Sequence, residues 1–178
     1  MRTNHRMSPP FFGGRQQVFF PPSKILSQIS QQPSSVYAMA HSYTNLLYHI
    51  LFATKDRRSL IPKEIRDRVH EYLGGTIRGL GGVSLQVGGV DDHAHALALL
   101  APTICVADFV GKLKSDSSGW MKNFCPSFAW QVGYAAFTVS ESQVDKIRRY
   151  IRNQEFHHRK MSFKEELEKL LRAHKIRR

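Results

Sequence analysis

The chain has 178 residues, 42% of them hydrophobic and 22% charged, which is the balance of a globular domain with a real core. Its net charge of +12 excludes indifference to polyanions and points to nucleic acid or an anionic membrane surface, because Lys and Arg displace the counterions around phosphates. No apolar run approaches the ~18 residues of a spanning helix, and the two cysteines lack the spacing of a zinc knuckle or redox pair, so Cys105 and Cys125 read as reduced thiols of a cytosolic protein, with Cys105 in the core.

Residues 1–40 differ from the rest. They hold Pro9-Pro10, Gly13-Gly14, Pro21-Pro22 and Pro33 among Ser and Gln, with Arg2, Arg6, Arg15 and Lys24 and no acid. A disordered tail is the default expectation. An acid-free leader bearing Arg and Ser also fits an organellar transit peptide, while Pro21-Pro22 cuts the apolar Phe19-Phe20 stretch too short for a secretory signal. The favoured expectation is an over-extended reading frame whose true start is Met39. Native peptides upstream of Met39, found by mass spectrometry, would contradict it. The folded domain is then expected over 41–178.

From Tyr43 to Thr54 the chain is apolar and β-rich and reads as a buried first strand. After the polar turn Lys55 to Ser59, Pro62 opens a helix with Ile65, Val69, Tyr72, Leu73, Ile77 and Leu80 on one face, ended by Gly81-Gly82. Val83 to Val87 alternates as a second strand. Gly88 to Asp92 turns the chain, and His93 to Leu100 returns as a third, antiparallel strand. Val106 to Lys122 reads as a helix interrupted near Ser115 to Gly119. Phe128 to Ser140 reads as a fourth strand, bent at Gly133. Ser140 has the position of an N-cap, with Gln143 completing a capping box, for a helix from Glu141 to about His158. A last helix, Phe163 to about His174, has Ser162 as its cap and Glu165 three residues on. Strand–helix–strand–strand–helix–strand is the order of a ferredoxin-like (RRM-like) α+β fold, an antiparallel sheet with helices packed on it and extra C-terminal helices.

Two short patterns carry chemistry. Side chains alternate along a strand, so His93 and His95 face the same way, a start for a divalent metal site. A bare His-x-His is more often two histidines on a sheet face. In the helix after the fourth strand, Tyr150 and Gln154 lie four apart and share a face among Arg148, Arg149 and Arg152. Alone, that pair reads as a surface tyrosine with solvated basic neighbours. Lys112 and Lys114 are either a solvated face or phosphate contacts. Trp120, Trp130 and Phe137 read as core rather than base-stacking platforms.

The combination resembles the HUH-type single-tyrosine transposases of small bacterial insertion sequences, together with the relatives associated with repeated extragenic palindromes. The resemblance is carried by His93-Ala94-His95, Tyr150-x-x-x-Gln154, Tyr43 to His49, the Lys112 to Trp120 region, Phe128 to Tyr134 and the trailing His157-His158. It spans roughly residues 40–174. It implies a divalent metal, Mg or Mn, held by His93, His95 and Gln154, with Tyr150 as the nucleophile. Tyr150 would attack single-stranded DNA, leaving a 5′-phosphotyrosine and a free 3′-hydroxyl, and strand transfer would follow without ATP. DNA contacts would fall to Lys112, Lys114, Arg148, Arg149 and Arg152. The partners implied are single-stranded DNA with hairpin ends and a second copy in a homodimer, whose tyrosine helix serves the partner's histidines, in a bacterial cytoplasm and with no membrane. Ala94 is smaller than the usual middle residue, and Phe156 stands where an acid is frequent.

Tyr134 is the competing nucleophile. Two other functions remain open on sequence: a hairpin-binding protein without chemistry, and a small metallohydrolase completing the His93 and His95 site with Asp91, Asp92 or the His157-His158 pair.

Overall fold

The computed structural model describes residues 43–177, so the expectations for residues 1–40 and for Met39 lie outside the described residues. The order is β1 (Leu47–Ala53), α1 (Arg66–Gly79), β2 (Val83–Gly89), β3 (His93–Leu99), α2 (Val106–Met121), β4 (Ala135–Thr138), α3 (Val144–Arg152), α4 (Gln154–His158) and α5 (Phe163–Ala173). The four strands form one sheet in the order β2-β3-β1-β4, each pair antiparallel. This is the ferredoxin-like arrangement expected from the element order, with helices added at the C-terminal end.

Strand alternation sorts the core onto the two faces. Ile50 and Phe52 of β1 and Ala94, Ala96 and Ala98 of β3 pack under Val69, Leu73 and Ile77 of α1 and Phe109, Val110 and Leu113 of α2. The three alanines leave room for two helices to approach the sheet closely. The other face is closed by α3 and α5: Leu47 and Leu97 meet Val144 and Ile151, while Leu51, Ala53 and Phe137 meet Phe163. His49, His93 and His95 belong to this second face by register, and all three are buried.

Five local expectations are corrected. α2 runs unbroken through Ser115–Gly119, because Ser117 turns inward, donates to Leu113 O at 2.6 Å and accepts from Trp130 Nε1 at 3.0 Å. The fourth strand is only Ala135–Thr138. Before it, the Lys114 ammonium takes the carbonyls of Gln131 and Gly133 at 2.7 and 2.8 Å, and Gly133 has a φ of 88°, so among the described residues the preceding segment pairs with the sheet only through a Thr54–Trp130 bridge. The long helix divides at Asn153 (φ −97°, ψ 22°) into α3 and α4. Ser140 makes no side-chain cap; its hydroxyl lies 3.1 Å from that of Ser142. Cys105 is exposed rather than core, its sulfur accepting from Asp108 N at the start of α2. The Ser162–Glu165 capping box at α5 stands as expected. No helix among the described residues is long and apolar enough to cross a membrane.

Candidate active site

The site is built on the face that α3, α4 and α5 close. β3 presents His93 and His95 to it, both 0% exposed. His93 Nδ1 lies 2.6 Å from Asp92 Oδ1. A carboxylate only accepts, so Nδ1 carries the hydrogen and Nε2 is the nitrogen turned inward. There it meets Gln154 Oε1 at 3.2 Å. The Gln154 amide is oriented by its Nε2, which donates to Glu166 Oε1 at 3.0 Å. The Gln154 oxygen is thereby turned toward Nε2 of His93, so the two ligand atoms converge on one point.

His95 is set in a similar way. Its Nδ1 lies 3.0 Å from His49 Nε2, with the two rings stacked at 5.2 Å. Its Nε2 is buried without a hydrogen bond, 3.4 Å from Glu166 Oε2. Burial, with the His95 ring beside it, lowers His49 to about 3, and burial, opposed by Glu166, lowers His95 to about 4, so both are neutral at neutral pH. The free nitrogens of His93 and His95 and a Glu166 oxygen lie within 4.8 Å of one another. Imidazole nitrogens suit Zn, Cu, Fe or Ni, and carboxylate or amide oxygens suit Mg and Mn, so this mixed set can hold a divalent cation without selecting one. The donor set therefore fits a divalent metal of the kind the sequence resemblance implies.

Glu166 is the residue that sequence reasoning missed. It comes from α5 and is 1% exposed. Its Oε1 accepts from the Tyr150 hydroxyl and from Gln154, and its Oε2 lies 3.0 Å from His158 Nε2. Burial alone would raise this carboxyl, but His158 and His95 beside it outweigh burial and hold it far below the usual carboxylate range. His158 in turn is raised against the pull of burial by Glu166. A signal existed: Phe163, Glu166, Leu167 and Leu170 fall at helical spacing on one stripe, and an acid in an apolar stripe needs a partner.

Tyr150 stands edge-on to the rings of His49 and His95, with centroids 6.1 Å from each. Burial and the Glu166 charge push its phenol above the ordinary tyrosine range, so the resting hydroxyl is protonated. Position follows from close packing: a Cβ on Gly88 of β2 would lie 2.5 Å from Ile151 O, so only glycine lets α3 sit this low on the sheet.

Tyr150, His93, His95 and Gln154 thus come together within one chain, whereas the resemblance implies a tyrosine helix reaching a partner. Tyr134 is 43% exposed in the segment before β4 and makes no ring contact with the histidines among the described residues. Arg149 and Arg152 are exposed on α3, and Arg148 lies 3.9 Å from Asp145. Lys112 is exposed on α2, on the opposite side of the sheet, and the neighbouring Lys114 is engaged by backbone carbonyls.

Residues 42–154 match the family described as "Transposase IS200 like". The transposases for insertion sequence element IS200 of Salmonella typhimurium and Salmonella typhi are each 32% identical over 125 residues, covering 66% of this chain and 82% of theirs. Among solved structures, a transposase candidate from Deinococcus radiodurans R1 aligns with a TM-score of 0.53 at 27% identity, over 67% of this chain and 98% of that one. A REP-associated tyrosine transposase bound to a REP hairpin aligns with a TM-score of 0.51 at 13% identity, over 70% and 74%, a likeness of fold alone.

Proposed function

We propose, from the premise that this chain belongs to the IS200-like transposase family, that it cuts and rejoins single-stranded DNA through a covalent bond to Tyr150. One observation carries the reading: the Tyr150 hydroxyl, two buried histidine nitrogens and the Gln154 and Glu166 oxygens converge on one point.

His93, His95 and Gln154 would hold a Mg or Mn ion, with Glu166 as a further oxygen ligand. When bound, that ion would polarise the scissile phosphate and offset charge building on its oxygens. The Tyr150 oxygen attacks phosphorus. The bond to the 3′ oxygen breaks, the phenolic proton is lost, and the departing oxygen takes up a proton as a free 3′-hydroxyl. The 5′-phosphotyrosine conserves the phosphodiester energy, so attack by a 3′-hydroxyl reverses the step and completes strand transfer. Arg148, Arg149 and Arg152, on the helix of the nucleophile, supply positive charge for the strand. The hairpin named for the REP-associated relative, whose fold this chain shares, supports a hairpin-ended substrate here. A homodimer and a cytoplasmic site of action belong to the same reading.

The test uses labelled single-stranded DNA carrying a hairpin from beside the gene, incubated with Mg or Mn. A covalent adduct should appear on a denaturing gel, vanish with a chelator, vanish in Tyr150→Phe and persist in Tyr134→Phe. Tight hairpin binding with no adduct in the wild type would leave only a binding protein.

A further inference from the structure

A cleft of about 380 Å³ opens on the same sheet face, between the end of β1, the segment before β4, and α5. Leu51 and Ala53 line it, and in the sheet they stand directly opposite His95 and His93. Opposed side chains share a face about 5 Å apart, so the cleft begins one strand away from the histidine pair. Phe163 joins the two places: its ring stacks on His93 at 4.5 Å, and it also lines the cleft.

Three exposed residues line the cleft with chemistry that the catalytic reading does not use: Arg57, Lys164 and Tyr134. Neither cation forms an ion pair among the described residues. Their presentation is built rather than loose. Asp56 and Arg57 both hold left-handed backbone, with φ of 56° and 54°. Asp tolerates that conformation, but for a long side chain such as Arg57 it is uncommon and marks a locally held backbone. Here Asp56 N donates to Gln131 Oε1 at 2.9 Å, and the Thr54 hydroxyl donates to Arg58 O at 2.6 Å. On the other wall, the Lys114 clamp on Gln131 and Gly133 fixes the segment that carries Val132, 94% exposed, and Tyr134.

We propose that this cleft seats one nucleotide of the single strand beside the scissile phosphate. Its base lies against Tyr134 and the apolar wall of Phe163 and Leu167, and its phosphate is met by Arg57 and Lys164. An aromatic platform flanked by cations is the chemistry that grips single-stranded nucleic acid without duplex geometry. The assignment rests on the reading that DNA is cut at Tyr150.

The test uses the full-length chain with Mn and fluorescent oligothymidine, measured by anisotropy across a salt series. The variants are Tyr134→Ala and the pair Arg57→Asn with Lys164→Gln, asparagine being chosen because it tolerates the left-handed backbone. Far-ultraviolet circular dichroism of each should match the wild type. Tyr134→Ala should weaken binding roughly tenfold. The double variant should flatten the slope of log K against log salt by about 1.4, two phosphate contacts at about 0.7 each. A 5-iodouracil in the strand should photo-crosslink to Tyr134 or Phe163. Affinity and slope unchanged in all variants, with crosslinks elsewhere, would overturn the cleft while leaving a Tyr150 adduct intact. Absence of that adduct alongside weakened variants would overturn the cutting reading and leave the cleft as a binding site.

Discussion

Asp92 and His49 stand behind the two histidines and determine which nitrogen each turns toward the centre. Partners of this kind matter nearly as much as ligands, because they fix tautomer and ring orientation. His49→Ala and Asp92→Ala should each lower Mn affinity about 10–100-fold, read by calorimetric titration; affinity equal to wild type would show that the rings need no backing. His70 gives a separate expectation, away from the centre. It is lowered to about 4 by burial, with Arg66 adding to the fall and Asp67 opposing it, and its Nε2 is buried without a partner. Its folded value lies below the ordinary 6.5, so the unfolded chain binds the proton more readily. The stability His70 contributes is fully present above about pH 6.5 and is lost as pH falls toward 4. Denaturant titrations at pH 7 and 5 should show a smaller loss in His70→Leu than in wild type; equal losses would assign the pH dependence to other groups. At this scale the histidine pair was legible because a strand has period two, and Tyr150 with Gln154 because helix neighbours fall four apart. Glu166 was legible only as an acid on an apolar helical stripe; which partners it meets depends on α5 folding back over β3, which no local period encodes.

The elements were legible in order and type, and less so in extent. Every strand and helix expected between Tyr43 and His174 has its counterpart. The lengths that failed did so where side chains intervene in the backbone: Ser117 and Trp130 carry α2 through a polar run, and Lys114 draws carbonyls away from the fourth strand. The break at Asn153 does not separate the chemistry, because Tyr150 on α3 and Gln154 on α4 both donate to Glu166 Oε1. What sets the height of α3 over the sheet is Gly88. A methyl there would meet the Ile151 carbonyl oxygen first and the branched Ile151 side chain close behind it, and the backbone atom cannot swing away. Gly88→Ala should therefore cost about 1–3 kcal/mol of stability in chemical denaturation and should lower the rate of adduct formation at least tenfold, since misplacing a nucleophile by an ångström has effects of that size. Wild-type adduct formation in a folded Gly88→Ala protein would show that α3 is not held by this contact.

As a whole, the described chain is a sheet covered on both faces, with α1 and α2 supporting it on one side and α3 to α5 enclosing the chemistry on the other. The net charge of +12 suits a protein that handles phosphate chains. Fold and family agree on DNA transposition, and what the buried cluster adds is a specific claim about which oxygen becomes bonded to DNA. Proteolysis of the gel-purified adduct, followed by mass spectrometry of the DNA-linked peptide, tests that claim most directly. The nucleotide should be found on Tyr150. A nucleotide on Tyr134, or on any other residue, would contradict the assignment of the nucleophile and with it the role given to the His93–His95–Gln154–Glu166 cluster.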